Sequence, residues 1–298
     1  VCPGKDIVIA TNNDSAYQTV FDLARARVPV SAVVDLRDAV SDELRQRTLA
    51  TGAELLTGAC IADTRGFSGL RSIRIAGRSG ADLGRRGCDL LAVSGGWSSR
   101  VHLLAHARGS LRFDAATQSF LPDRLPAGWS VAGCANGTWG LQAALDEAAA
   151  AARDICRALG MPAAEEELPQ VTQTVVEPST SHAAETPITL PSSPGPRQWI
   201  DLAHDVTLSD AELAAREGFV SVEHFKRYTT TGMSIDQGKT GNLNAFIVLG
   251  ALTGRGTGDV GTTTFRPPYV PVTLGVLAGR RSGEFYAMRR LLPAHAVH

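Results

Sequence analysis

The stretch IVIATNNDSAYQTV (residues 7–20) constrains the fold of this chain more than any other feature. Its apolar run Ile7–Ala10 indicates a buried strand, and apolar residues at helical spacing predict a helix over residues 15–27. A second apolar run follows at Val30–Val34 and ends in Asp35. A strand, a helix and a strand within about 30 residues make a βαβ unit, with parallel strands and a right-handed crossover. The chain is therefore predicted to be an α/β protein.

The turn between the first strand and the helix decides whether this unit binds a dinucleotide. Such turns carry the pattern G-x-G-x-x-G because glycines let the pyrophosphate approach the helix N-terminus. Here these positions hold Thr11, Asn13 and Ala16, so two of them carry side chains where the pyrophosphate would approach. Asp35 lies where an acid often binds the ribose, although an aspartate at a strand end is also a common turn residue. We expect a packing unit without a dinucleotide, its helix capped by Asp14–Ser15.

A second turn of this kind lies at residues 131–141 (VAGCANGTWGL). The sequence predicts a strand and a turn over residues 129–137, then a long helix from Leu141 to Leu159 that Gly160 ends. Backbone N–H groups at the start of that helix can receive a phosphate. The alternative is a helix-start turn without a ligand.

The composition divides the chain into four parts. Residues 1–160 make up the nucleotide-binding portion, and residues 161–197, rich in Pro, Ser, Thr and Glu, indicate a linker. Residues 198–254 are predicted to form a small helical domain, followed by a Pro-rich tail at 255–298. Within the helical domain the sequence predicts a capping box at Ser209–Glu212 and helices over Ser221–Tyr228 and Asn242–Leu252.

Charge and cysteine usage exclude several classes of function. The net charge of −1 argues against a nucleic-acid partner, which would need a basic face. No apolar run approaches the ~20 residues of a membrane span, and no signal peptide is visible, so we expect a cytoplasmic protein. The five cysteines are widely spaced without a C-x-x-C pair, so no metal site is predicted. The dispersed histidines form no catalytic constellation, and the first and last residues, Val1 and His298, suggest a piece of a longer polypeptide.

Several motifs together resemble one family. The segments IVIATNNDSAYQTV, CDLLAVSGGW (88–97) and GWSVAGCANGTWGL (128–141) resemble the two-dinucleotide-domain flavoprotein fold of glutathione reductase. The segments KRYTTTGM (226–233), DQGKTGN (236–242) and GTTTFRPPY (261–269) closely resemble the α subunit of heterotetrameric sarcosine oxidase. The resemblance covers nearly the whole chain. It implies the central part of that subunit, without the N-terminal glycine-rich motif and the C-terminal folate-binding domain.

The resemblance implies a set of cofactors and partners. A glutathione-reductase-like portion binds NAD noncovalently, and a small helical domain of the BFD-like type follows without an iron–sulfur cluster. An FMN lies at the interface between the α and β subunits, and an FAD lies in the β subunit; smaller γ and δ subunits complete the heterotetramer. Sarcosine is demethylated oxidatively, oxygen is reduced to H₂O₂, and the one-carbon unit passes to tetrahydrofolate. Related dehydrogenase subunits hold a cluster with cysteines at positions that read Asp201, Ala203 and Asp236 here.

The same resemblance assigns two groups of binding residues and no catalytic residue. For NAD, whose site would be incomplete here, they are Cys134, Ala135, Asn136, Gly137, Thr138, Trp139 and Leu141. For FMN they are Thr229, Thr230, Thr231, Lys239, Thr240, Asn242, Thr262, Thr263, Thr264 and Arg266. The hydroxyl, amide and cationic groups suit a phosphate, although the threonines could equally cap helices.

Two other functions remain open at this point. The chain could belong to a related amine or opine dehydrogenase that passes electrons to an acceptor other than oxygen, although the missing cluster cysteines disfavour this. It could also be a non-catalytic assembly module with a nucleotide-binding fold, as Thr11 and Asn13 suggest for the first turn. We expect the isolated piece to be inactive.

Overall fold

The computed structural model describes residues 4–162, 170–171 and 197–279. Its strands are, in chain order, β1 (Ile7–Thr11), β2 (Val30–Asp35), β3 (Glu54–Thr57), β4 (Ala59–Arg65), β5 (Ser72–Gly77), β6 (Asp82–Gly87), β7 (Leu90–Ser94), β8 (Ser110–Asp114), β9 (Ser119–Arg124), β10 (Trp199–Asp201) and β11 (Val206–Thr207). Its helices are α1 (Ser15–Arg25), α2 (Asp42–Ala50), α3 (His102–His106), α4 (Leu141–Ala158), α5 (Leu208–Arg216), α6 (Val222–Thr229), α7 (Asn242–Thr253), α8 (Thr257–Val260) and α9 (Leu274–Ala278), with a 3₁₀ turn at Gly133–Asn136. Most of the predicted linker and the end of the tail lie outside the described residues.

A four-stranded parallel sheet in the order β3-β2-β1-β7 forms the centre of the first part of the chain. Both of its faces are covered, which is why β1 and β2 are almost continuously apolar. Ile9 and Val33 pack under α1 on one face, whereas Val8 and Val34 pack against β4 and β5 on the other. The predicted βαβ unit and parallel sheet are confirmed.

A three-stranded antiparallel sheet, β4-β5-β6, covers the second face of the parallel sheet. Ile73 and Ile75 of its central strand point inward and are buried. Strand β6 could not be predicted from the sequence, because its exposed, Arg- and Gly-rich residues show no apolar alternation.

The strand predicted near residues 129–133 is absent. Residues 129–132 make no strand, and the chain enters the 3₁₀ turn before α4. A strand needs a neighbour to satisfy its backbone groups, and no described strand pairs with this segment. Helix α4 itself forms as predicted, but none of its described side chains is buried.

Helices α5 to α8 pack around a second core with the short β10-β11 ribbon. Phe225, Phe246 and Leu249 are its largest buried side chains. The β8-β9 hairpin joins this core through Phe120, whose ring meets Phe246 edge-on at 6.0 Å. A capping box opens α5, but its residues are Thr207 and Asp210, so the predicted Ser209–Glu212 box was two residues too late. Within the described residues, none of the helices is long and apolar enough to cross a membrane.

Candidate cofactor-binding sites

The turn between β1 and α1 is filled by its own side chains. Thr11 and Asn13 are both buried. The Asn13 amide donates to Thr11 Oγ1 at 3.3 Å and to the Ser94 hydroxyl at 3.2 Å. Ser15 donates to Asn13 Oδ1 at 2.5 Å and accepts from the Trp97 indole N–H at 2.8 Å. These bonds join the turn to the end of β7 and occupy the space into which a glycine turn would admit a pyrophosphate.

The carboxylate at the end of β2 is also engaged. Asp35 is fully buried and accepts hydrogen bonds from the Tyr17 hydroxyl at 2.7 Å and from Arg37 Nη2 at 2.8 Å. Arg37 also binds Asp14 through Nη1 at 2.5 Å, so Asp14 does not cap α1 as predicted. Burial and the neighbouring Asp35 charge raise the pKa of Tyr17. Burial alone would lower the pKa of Arg37, but its bonds to Asp35 and Asp14 raise it, so the guanidinium stays charged.

The second turn, at residues 133–141, contains groups without partners. The segment predicted for NAD forms one continuous stretch: Cys134, Ala135 and Asn136 lie in the 3₁₀ turn, Gly137 to Trp139 follow it, and Leu141 opens α4. No side chain caps α4 and no acid lies in its first turn, so the positive end of an 18-residue helix is uncapped. The indole N–H of Trp139 is buried and has no hydrogen-bond acceptor within the described residues. Both features suit a polar or anionic ligand.

The carboxylate of Glu147 limits where an anionic ligand can bind at the second turn. The Glu147 carboxylate accepts from the Gly133 backbone N–H at 2.6 Å and from the Asn136 amide at 2.7 Å. Burial raises the pKa of Glu147, but its hydrogen bonds with Asn136, Thr138 and Gly133 outweigh that effect and lower it. A phosphate would be repelled near this charge. The groups left for a ligand are therefore at Trp139 and the first turn of α4.

Three loops predicted to bind FMN meet on one surface of the helical cluster. The Lys226 ammonium donates to the Thr264 carbonyl at 3.4 Å, and the Arg266 backbone N–H donates to the Gln237 side chain at 3.1 Å. Lys239 donates to the Tyr269 carbonyl at 2.6 Å. Segments 226–231, 236–242 and 262–269, which are separate in sequence, are thus brought together. We call this surface the three-loop surface.

Several of the predicted threonines on the three-loop surface have structural partners. Thr229 donates to the Phe225 carbonyl at 2.8 Å and bonds the Thr231 hydroxyl at 2.8 Å, and both threonines are buried. Thr263 is buried as well, and Thr240 donates to Asp236 at 3.3 Å. The more accessible groups are Thr230, Thr262, Thr264 and Arg266.

Asn242 lies beneath the three-loop surface at the first position of α7. Its amide donates to the Gln237 carbonyl at 3.2 Å, whereas its buried Oδ1 has no donor within the described residues. A Cβ at Gly238 would lie 2.0 Å from that oxygen, and one at Gly232 would lie 2.2 Å away. Both glycines have positive φ, so a glycine is needed at each of these positions to close the chain around Asn242.

Lys226 and Arg266 are the cations of the three-loop surface that best suit an anion. The Arg266 side chain is exposed and makes no ion pair within the described residues. Burial lowers the pKa of Lys226, Glu223 raises it, and the charges of Arg266 and Arg227 lower it further. Close cations that repel one another suit an anion. Sequence reasoning missed Lys226 as a binding residue, although it is the first residue of the KRYTTTGM motif, which was the available signal.

The three positions that the resemblance compares with cluster cysteines hold Asp201, Ala203 and Asp236, and both aspartates have structural roles. The buried Asp201 carboxylate accepts from the Gly232 backbone N–H at 2.7 Å and from the Ala203 N–H at 2.8 Å. Asp236 accepts from the Gly238 N–H at 3.2 Å. These bonds hold β10 and the loops in place. Across the described ranges, no three His, Cys, Asp or Glu side chains gather as metal ligands.

Comparisons with known proteins agree with this architecture. A family model described as the sarcosine oxidase A3 domain matches residues 195–280. The chain is 37% identical over 297 residues to the sarcosine oxidase subunit alpha of Rhizobium meliloti (strain 1021), covering 99% of this chain and 29% of that protein. It is 38% identical over 310 residues to the same subunit of Corynebacterium sp. (strain P-1), covering 99% of this chain and 31% of that one.

A solved structure is similar in fold. The crystal structure of L-proline dehydrogenase from P. horikoshii matches with a TM-score of 0.62 and 18% identity, over 93% of this chain and 50% of that one. The chain thus has the α/β fold found in that dehydrogenase. It belongs to the sarcosine oxidase α-subunit family, and it spans 29–31% of the length of the relatives named above.

Proposed function

We propose that this chain is the central part of a sarcosine oxidase α subunit and supports flavin electron transfer rather than supplying acid–base groups. This proposal rests mainly on the similarity to sarcosine oxidase α subunits along 99% of the chain. The reaction is the oxidative demethylation of sarcosine to glycine. Oxygen is reduced to H₂O₂ and the one-carbon unit passes to tetrahydrofolate through a folate-binding domain that follows.

We propose the second turn as the part of an NAD site that this chain supplies. The uncapped N-terminus of α4 and the unpartnered Trp139 N–H fit a pyrophosphate and a polar group of the ligand. Cys134 and Ala135 lie in the preceding 3₁₀ turn, while Asn136 and Thr138 bind Glu147 and orient the turn. We propose no dinucleotide at the first turn, because the side chains of Thr11, Asn13 and Ser15 fill it with their own hydrogen bonds.

We propose the three-loop surface as the FMN site. A bound flavin accepts electrons and passes them to oxygen. Lys226 and Arg266 would hold its phosphate, assisted by the hydroxyl groups of Thr262 and Thr264. Thr229, Thr231, Lys239 and Thr240 fix the shape of the loops around that position. The unpartnered Asn242 Oδ1 can accept one hydrogen bond from a ligand or water.

The wider assembly follows from the same proposal. The relatives are named as subunits, so this chain would act in a complex, with FAD in a β subunit and with smaller γ and δ subunits, in the cytoplasm. Its parts would be a nucleotide-binding portion at 1–160, a linker at 161–197, a BFD-like helical domain without a cluster at 198–254, and a tail at 255–298.

A related amine or opine dehydrogenase is the second candidate. The fold similarity to L-proline dehydrogenase favours it, although that similarity concerns the fold alone. The sequence between residues 197 and 279 contains no cysteine that could bind a cluster.

The test uses the full-length protein purified with its companion subunits. Its visible spectrum, extracted cofactors and peroxide production from sarcosine are measured. We expect NAD and FMN, and we expect Lys226→Gln with Arg266→Gln to lower the FMN content, whereas Arg45→Gln on α2 retains it. Trp139→Phe should weaken NAD retention. A colourless complex, or sarcosine oxidation that reduces a dye but never oxygen, would contradict the oxidase proposal.

A further inference from the structure

The three-stranded sheet β4-β5-β6 has one covered face and one bare face. Its inner face carries Ile73 and Ile75, which pack against the parallel sheet. The strand register places Arg74 between Asp63 of β4 and Arg85 of β6, on the opposite face. Arg85 and Asp63 form an ion pair at 3.4 Å. We call this side the outer face; no described element packs on it.

The loop from β4 to β5 presents an aromatic ring beside the outer face. Phe67 is the most exposed of the large apolar side chains in the described residues, with its ring fully in water. The loop is nevertheless tightly closed, because the Arg71 N–H donates to the Arg65 carbonyl at 2.8 Å. A Cβ at Gly66 would lie 1.8 Å from the Gly69 carbonyl oxygen, so only glycine allows this closure. The ring is therefore presented from a preformed loop, which lowers the entropic cost of binding.

Positive charges outnumber negative charges in the sequence around Phe67. Residues 63–87 contain six arginines and two acidic residues, although the whole chain has a net charge of −1. Four of the arginines are paired: Arg65 and Arg85 with Asp63, Arg78 with Asp38, and Arg86 with Glu54. Arg71 and Arg74 make no ion pair or side-chain hydrogen bond within the described part of the chain.

We propose that the outer face and Phe67 form a docking surface for a companion subunit. The surface of that subunit would have a pocket for the Phe67 ring, surrounded by acidic residues. Arginine and aromatic residues are enriched at the centres of protein interfaces, where an anchor ring fills a pocket on the partner. Arg71 and Arg74 supply charge that an acidic rim would neutralise. A nucleic acid fits less well, because it needs several free cations along one face and only two are free here. The inference rests on the proposed function only in assuming a multi-subunit complex.

The test is made on the full-length protein co-purified with its companion subunits. Phe67 is replaced by the photoreactive p-benzoylphenylalanine, and in the control Leu49, an apolar residue of α2 that is 52% exposed, is replaced instead. After irradiation we expect a cross-link from position 67 to an Asp/Glu-rich segment of another subunit, and none from position 49. The variants Phe67→Ala and Arg74→Glu should weaken subunit association by roughly tenfold or more, while Leu49→Ala and Arg45→Glu should not.

The outcomes separate this inference from the proposed function. Sarcosine-dependent peroxide production by the unmodified complex tests the function and does not involve Phe67. Cross-links only within the same polypeptide, or association unchanged in both variants, would overturn the docking surface even if the complex is an active oxidase. Binding of DNA or of phosphatidylserine vesicles that is lost with Arg74→Glu, without a subunit cross-link, would also overturn it.

Discussion

The buried pair of Arg37 and Asp35 offers the sharpest test of the filled first turn. Replacing Arg37 by Met keeps an unbranched stem and removes the guanidinium and its charge. Asp35, which is fully buried, then loses its bonds from Nη2 at 2.8 Å and Nε at 3.1 Å but retains those from the Tyr17 hydroxyl and the backbone N–H of residue 37. Removing one partner of a buried ion pair costs about 3–5 kcal/mol. Because two donors remain, we expect a loss of about 3 kcal/mol in the free energy of unfolding.

The assay is urea unfolding at neutral pH, with hydrogen exchange of the β1 and β2 amides as a local measure. The matched control is Arg25→Met, since Arg25 also pairs with an aspartate, Asp22, but is 72% exposed. It should change the free energy of unfolding by less than about 0.5 kcal/mol. The double variant Arg37→Met with Asp35→Asn should recover part of the loss, because no charge remains buried. Equal effects of Arg37→Met and Arg25→Met would refute the reasoning.

Three further results are expected. Thr207→Ala removes the capping box of α5 and should lower the unfolding free energy by about 1 kcal/mol in urea titrations followed by circular dichroism, with Ser209→Ala as an inert control. Burial lowers the pKa of His102, and the charges of His106, Arg100 and Lys239 lower it further. The folded protein therefore favours the neutral form of His102. Stability should fall as the pH drops below about 6.5, and His102→Gln should reduce this slope in unfolding measured between pH 7.5 and 5. Phe246→Ala should cost about 3–5 kcal/mol, seen as faster hydrogen exchange in α5 and α7; unchanged exchange would contradict its place in the core.

The sequence predicts the parallel sheet well because its signal is local. The apolar runs at Ile7–Ala10 and Val30–Val34 indicate strands that are buried on both faces of a sheet. The helix between them indicates that the two strands are parallel. That the first turn, with Thr11 and Asn13 in place of glycines, binds no dinucleotide stays a prediction. By contrast, the bond between Arg37 and Asp14 joins residues 23 positions apart and leaves no periodic signal.

The wrongly predicted strand and the contacts that were not predicted have related physical reasons, because each depends on segments that are distant in the sequence. The segment at residues 129–133 has the apolar character of a strand, but a strand also needs a neighbour, which sequence alone does not supply. The three-loop surface could be predicted as a set of motifs, whereas the proximity of Lys226 and Arg266 depends on how distant loops fold back. Glu147 likewise lies 14 residues from the Gly133 amide that it binds.

The contact between Phe120 and Phe246 belongs to the packing that links the two proposed cofactor sites. Phe246 belongs to α7, which begins at Asn242 beneath the three-loop surface. The residue after Phe120, Leu121, packs so closely on Gly137 that an added Cβ there would lie 2.9 Å from it. A run of packed groups, from Gly137 through Leu121 and Phe120 to Phe246, therefore connects the two proposed cofactor sites. If binding at one site changes the affinity at the other through this run, the effect must be equal in both directions.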